Sequence, residues 1–513
     1  MKKNPDIYLR PGARRLAGNT LWNLAGMCLP MVVALFAIPL LIRGLGAERF
    51  GLLGLVWMLV GYFSIFDLGL GRALTKMAAT HLGHGQTDNI PRLFWTAMLM
   101  MLGLGLLLGL GIALATPALA GHLLKIPAHL QPEALRSFYI VAASMPVVIT
   151  TTGLIGMLEA HQYFRAINFV RIPTGSFTFW GPLCVLPFSN SLSYVVAILL
   201  VGRLVETTVF LLLCLYKIPE LRCRPQLRRE LVRPLAGFGG WLTVSNLAMP
   251  LMAHMDRFFV GAVLSVAAVT YYVTPAEIVI KLLILPRAWV SVLFPAFSAG
   301  AEHAPEESAR LFSRGLRYLP PLLFAATLTL VTLAPEGLQL WLNAEFAARS
   351  ATVMRWLAAG VFLAGLAYVP FAFLQGAGRP DMPARLHLAE LLLYVILAPT
   401  CIRYLGINGA GMAWFARAGL DLLIMLWLTR RRMPATAPAI RQLLGMALYS
   451  LAVLAGVAVT TSLTLRCVLA AGGGLLGVAL YWRVILDHSE RSHCSREISA
   501  IIARFQQKAP RDI

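Results

Sequence analysis

Asp67, Glu159, Arg203, Glu206, Asp256, Arg257, Glu277, Lys281, Arg287, Glu390, Arg417 and Asp421 lie inside or at the rims of long apolar runs. A charge left in hydrocarbon costs roughly 2.5 to 3.5 kcal/mol at mid-bilayer, so each of these groups must face protein, water or headgroups. Spacing sorts them. Arg203 with Glu206 (i, i+3), Glu277 with Lys281 and Arg417 with Asp421 (both i, i+4) can pair on one helix face. Such a pair either staples helices together as a neutral unit or serves in ion coupling or gating. The candidate contacts to an anionic ligand are Lys281, Arg287, Arg203 and Arg417. The candidate coupling or gating groups are Asp67, Arg72, Glu206, Asp256, Arg257, Glu277 and Asp421.

The run 266–297 is the most suggestive. It carries Lys281 and Arg287 against one local acid, Glu277, and Pro275, Pro286 and Pro295 should bend it. Excess positive charge on a bent helix suits a water-filled cavity receiving a diphosphate or an acidic sugar, whose oxygens Arg grips through paired donors. The alternative is structural pairing and interfacial snorkelling by long cationic side chains. Asp256–Arg257 reads equally as a gate pair or an interfacial couple. Asp67 ends an apolar stretch that starts at Leu52, and Gly69, Gly71 and Arg72 follow it. It either caps a Gly-rich turn or couples an ion, because an apolar setting makes a carboxylate hold its proton more tightly.

Familiar catalytic patterns are missing: GxxxxGKS, HExxH and a Ser nucleophile elbow do not occur, so the reading is a protein that is not an enzyme and hydrolyses no nucleotide. Seven scattered cysteines, an odd number, give no disulfide framework and no metal site. His488–Cys494 (HSERSHC) holds ligand-type residues but reads as solvated tail. No cofactor is expected beyond coupling to H+ or Na+. The net charge of +21 raises a nucleic-acid partner, but the cations fall in short breaks and no nucleic-acid module is present.

The elements that must position these groups are membrane helices. With 58% hydrophobic and 13% charged residues, the chain is too apolar for a soluble protein of its size. Apolar runs of about 20 residues recur, the length a bilayer core requires of a helix. The reading is an all-α membrane protein with about fourteen spans, the second at 50–67 and the eighth at 266–297. Strand alternation is absent. The first apolar run lacks a small-residue cleavage site and reads as a retained helix. Lys and Arg crowd alternate polar breaks, which puts both termini in the cytoplasm.

The segment 217–234, with six basic residues and three prolines, divides the first twelve spans into six and six. It reads as a basic cytoplasmic linker, with contact to anionic lipid as a further role. Weak echoes pair 21–31 with 242–252, 153–165 with 372–385 and 199–212 with 413–426. They imply two pseudo-symmetric six-helix lobes forming a V: an N-lobe at 1–216, a C-lobe at 235–430, and two extra helices with a tail at 431–513.

Two short patterns carry a family resemblance: GLGAERFGLL (44–53) between the first two spans and FDLGLGRALTK (66–76) after the second. With the span number they make the chain, over roughly residues 15–430, similar to the bacterial polysaccharide transport family, the O-antigen repeat-unit flippases of the multidrug/oligosaccharidyl-lipid/polysaccharide exporter superfamily. The resemblance implies alternating-access movement of undecaprenyl-diphosphate-linked oligosaccharide across the bacterial inner membrane for surface polysaccharide synthesis. Implied partners are that polyprenyl-linked substrate, membrane lipids, and polysaccharide polymerase and chain-length proteins. The last two spans would add a groove for the lipid tail. Rival readings are an ion-coupled multidrug exporter or a cell-wall lipid-precursor flippase of the same superfamily and, from another class, a membrane glycosyltransferase or polymerase.

Overall fold

A computed structural model describes residues 13–63, 67, 69–83, 87–300 and 305–485. Among the described residues the regular elements are all helical. In order they are α1 (Ala13–Phe63), α2 (Leu70–Gly83), α3 (Ile90–Ala118), α4 (Gln131–Ala160), α5 (Phe164–Val185), α6 (Leu192–Lys217), α7 (Arg229–Val263) and α8 (Val266–Ile280). After them come α9 (Ile284–Gly300), α10 (Pro305–Trp341), α11 (Ala344–Gly376), α12 (Asp381–Arg432), α13 (Ala437–Val459) and α14 (Leu463–Leu480). Ten helices among the described residues are long and apolar enough to cross a membrane, so the chain is a multi-pass membrane protein.

The expected spans are present with shifted boundaries. α1 holds two of them, because Gly46 at φ 77 breaks the helix, and α12 holds two on either side of Gly406 at φ 61. The expected second span, 50–67, is helical to Phe63 among the described residues, and a further helix, α2, runs from Leu70 to Gly83 through what reads in sequence as a polar break. Gly69, at φ 68, supplies a left-handed turn that other residues adopt with difficulty. The span 266–297 is likewise two helices, joined by a 3-10 turn at Lys281–Leu283.

The chain forms two compact units. The first comprises Met1–Thr274 with Leu391–Ala410, the second Pro275–Glu390 with Gly411–Ile513. The segment 217–234 lies within the first of these units. It packs within the first unit: Trp95 Nε1 donates to the Leu221 carbonyl at 3.1 Å, and Thr96 Oγ1 meets both the Gln226 carbonyl and the Arg228 amide. Side chains at 21–28 and 242–251 lie outside the described residues, as does the tail motif 488–494, so most of the first sequence echo has no side-chain description.

In the first unit α4 packs on α3 and α6, and α5 packs on α1 and α6. Phe94, Met101, Ile149, Met157 and Phe210 fill its core. The GLGAERFGLL pattern locks this unit together. Arg49 forks onto Glu133 of α4, Phe50 is buried edge-on to Trp57, and Gly51 lies under the Val266 carbonyl of α8, where an added Cβ would sit 1.8 Å from that oxygen. In the second unit α11 is the central helix, with α9 and α10 packed on it and α13 and α14 against α10. Val361, Phe362 and Leu374 of α11 are fully buried.

Candidate ligand and ion sites

Asp67 sits between α1 and α2, and its carboxylate turns back on the chain that follows. Oδ1 accepts the Gly69 amide and Oδ2 the Gly71 amide, both at 2.9 Å, and Thr152 of α4 donates to Oδ2 at 3.2 Å. Three donors satisfy a charge that would otherwise be stranded, and two of them are amides that open a helix. Thr75 then bonds the Gly71 and Gly156 carbonyls, drawing α2 onto α4. This is the geometry of a cap. Arg72 is exposed on α2.

Elsewhere in the first unit, Arg203 and Glu206 pair at 2.8 Å as their spacing requires. Glu206 is buried, and Thr174 of α5 donates to it at 3.2 Å, so the pair ties α6 to α5. Asp256 and Arg257 are both buried near the end of α7. Tyr272 of α8 donates to Asp256 at 2.7 Å, and Tyr394 of α12 donates to its other oxygen. Sequence reasoning missed both phenols, because tyrosine in an apolar run reads as an ordinary interfacial aromatic.

In the second unit Lys281 and Glu277 meet at 3.8 Å, the long end of an ion pair, with the Lys281 side chain half exposed. Arg287 is exposed on α9 and donates through Nε to Tyr368 Oη of α11 at 3.1 Å. Both cations belong to the apolar span Val266–Val290, beside the 3-10 turn that interrupts it. Exposed cations at that position need water or an anion for company.

Arg417 and Asp421 are drawn to partners across α12. Arg417 reaches Glu390 at 3.5 Å and Asp421 reaches His387 at 3.6 Å, with His387 and Glu390 buried and Arg417 and Asp421 half-buried. His387 was overlooked, although its i, i+3 spacing to Glu390 on an apolar run was a readable signal. The ligand-type atoms of His387, Glu390 and Asp421 lie within 4.8 Å of one another. A metal ion there would share the site with the Arg417 guanidinium, an unfavourable neighbour.

Two further features of the second unit stand out. Arg466, buried at the start of α14, bonds Glu336 and the Thr332 carbonyl of α10, and Arg355 of α11 donates to the Ala458 carbonyl of α13 at 2.8 Å. These bonds fasten the last two helices. Between α10, α13 and α14 runs a groove of about 830 Å³, lined by Phe324, Leu328, Tyr449 and Val478, with Arg441 and Gln442 also on its wall.

Residues 16–300 match the protein family described as "Polysaccharide biosynthesis protein". A Shigella flexneri protein named "Putative O-antigen transporter" is 29% identical over 420 residues, covering 80% of this chain and 97% of that one. Among solved structures, an inward-facing multidrug resistance MATE transporter of the MOP superfamily aligns with TM-score 0.67 at 15% identity, over 81% of this chain and 99% of its own. The lipid II flippase MurJ, in an inward closed conformation, aligns with TM-score 0.65 at 12% identity, over 90% of this chain and 99% of its own.

Proposed function

We propose, from the premise that this chain belongs to the polysaccharide biosynthesis protein family, that it is a flippase for polyprenyl-diphosphate-linked oligosaccharide in the bacterial inner membrane. It carries the repeat unit outward by alternating access, with both termini in the cytoplasm, and delivers it to the polymerase and chain-length proteins that build surface polysaccharide. The physical task fits the residues: a glycan and a diphosphate cannot cross hydrocarbon unaided.

The observation that carries this reading is the pair of exposed cations, Lys281 and Arg287, at a break in an apolar span. Arg287 can meet phosphate oxygens through paired donors, and Lys281 adds a point charge. The groove between α10, α13 and α14 supports a seat for the polyprenyl tail, since Phe324, Leu328 and Val478 offer it an apolar wall. The name carried by the Shigella flexneri relative points the same way.

The test is deletion of the gene followed by extraction of lipid-linked intermediates. A completed repeat unit held on the cytoplasmic leaflet is the expected result. Unchanged intermediates together with drug sensitivity would replace this reading with that of a multidrug exporter.

A further inference from the structure

His387, Glu390, Arg417 and Asp421 form a buried quartet on the two arms of α12. His387 is 4% and Glu390 2% exposed, and the side chains of Arg417 and Asp421 are each 13% exposed. Two carboxylates face one permanent cation, so with His387 neutral the quartet is one positive charge short. Unbalanced charge in the interior is expensive. The hydrogen bonding tells the same story: among the described residues neither oxygen of Glu390 has a hydrogen-bond partner, and neither does Asp421 Oδ1. Carboxylate oxygens this deeply buried are normally satisfied. What is missing is one donor and one positive charge, and a single proton supplies both.

We propose that this quartet is a site for one exchangeable proton, shared between the His387–Asp421 pair and Glu390. On binding, an N–H or O–H bond forms and the quartet goes from net −1 to neutral. On release that bond breaks and water takes the proton away. The ligand is a proton and not sodium, because Arg417 already stands beside Glu390 and its guanidinium would repel a metal cation. Aromatic rings stand close by: Phe371 of α11 lies obliquely to His387 at 5.8 Å, and Arg417 lies 5.5 Å from the Trp414 ring. On the elements packed nearby, α11 brings Tyr368 one turn before Phe371, and α9 brings Arg287, which donates to Tyr368. The proton site and a proposed ligand cation thus contact neighbouring turns of one helix. Its use in driving transport rests on the flippase reading, but its existence does not.

The full-length protein, reconstituted in lipid, is examined by infrared difference spectroscopy between acid and alkaline buffer, in H2O and D2O. The expected result is a protonated-carboxyl band at acid pH that shifts in D2O, fades as pH rises, and is lost in both Glu390→Gln and Asp421→Asn. Each substitution leaves one carboxylate against Arg417, a balanced quartet that needs no proton. Wild-type thermal stability should fall as pH rises through proton release, while both variants stay flat over the same range. Should a variant fail to fold, the wild-type stability profile decides: a decline with pH supports the site and a flat profile overturns it. A spectrum without the band, a band undiminished in both variants, or a band altered by sodium at fixed pH would also overturn it. None of these readouts uses an oligosaccharide, so failure of the flippase reading and failure of the proton site are told apart.

Discussion

Arg49 grips Glu133 with two parallel bonds, Nε to Oε2 at 3.0 Å and Nη2 to Oε1 at 2.8 Å, and the same carboxylate accepts the Leu192 amide at 3.0 Å. One fork thus joins α1, α4 and the first residue of α6. Arg49→Ala leaves the carboxylate with a single donor and should lower stability by about 1.5 to 3 kcal/mol, toward the lower figure because the pair is partly exposed. Arg49→Lys should recover little of the loss, since an ammonium cannot form the fork. Thermal unfolding in detergent, read against wild type, measures both.

That fork shows where sequence reading stops. The GLGAERFG pattern marks a family in the sequence, and the structure gives its residues work: a turn at Gly46, a fork from Arg49 and a close crossing at Gly51. Pairs on one helix, such as Arg203 with Glu206 and Glu277 with Lys281, were legible because helical spacing alone brings them together. The partners of Asp256 and Asp421 were not, since Tyr394 and His387 come from distant parts of the chain and only packing makes them neighbours. α2 was not legible either, because the polar residues between Leu70 and Gly83 give no apolar run of membrane-spanning length.

Asp67 caps backbone amides, so its size and acceptor oxygens matter more than its charge. Asp67→Ala should cost about 0.5 to 2 kcal/mol, and Asp67→Asn, which keeps one of the two acceptor oxygens, should recover part of that loss. Transport by Asp67→Asn near the wild-type rate is the expected outcome in vesicles loaded with lipid-linked oligosaccharide. An inactive but stable Asp67→Asn would return this carboxylate to ion coupling.

Gly51 faces the Val266 carbonyl so closely that even one methyl group has no room. Gly51→Ala should push α1 away from α8 and destabilise by about 1 to 3 kcal/mol. Gly103 of α3, with no heavy atom within 4 Å of an added Cβ, is the control. There Gly103→Ala should be neutral or gain up to about 1 kcal/mol from helix propensity. The yield of monodisperse protein on size exclusion separates the two.

Arg466 is 3% exposed and holds Glu336 together with the Thr332 and Thr461 carbonyls. Arg466→Ala strips these groups of their donor at once, a loss of about 1.5 to 3 kcal/mol, toward the lower figure because Glu336 is partly exposed. The damage should be local to the last two helices, because Arg466 and Arg355 hold them through bonds to α10 and from α11. Limited proteolysis should cut first between α13 and α14, with α1 to α7 still protected.

Lys281 and Arg287 give the sharpest separation of transport from folding. Each makes one weak or exposed contact, so replacing either with Ala forfeits little stability, within about 0.5 kcal/mol for a surface position. If they hold the diphosphate, the double variant should lose nearly all flipping while its unfolding profile stays unchanged. Arg287→Lys should keep part of the activity, because an ammonium still attracts phosphate but forms no paired bonds. Added salt should weaken the wild type in the same direction, since these cations are exposed and screened. A double variant that moves lipid-linked oligosaccharide at the wild-type rate would remove both residues from the ligand path.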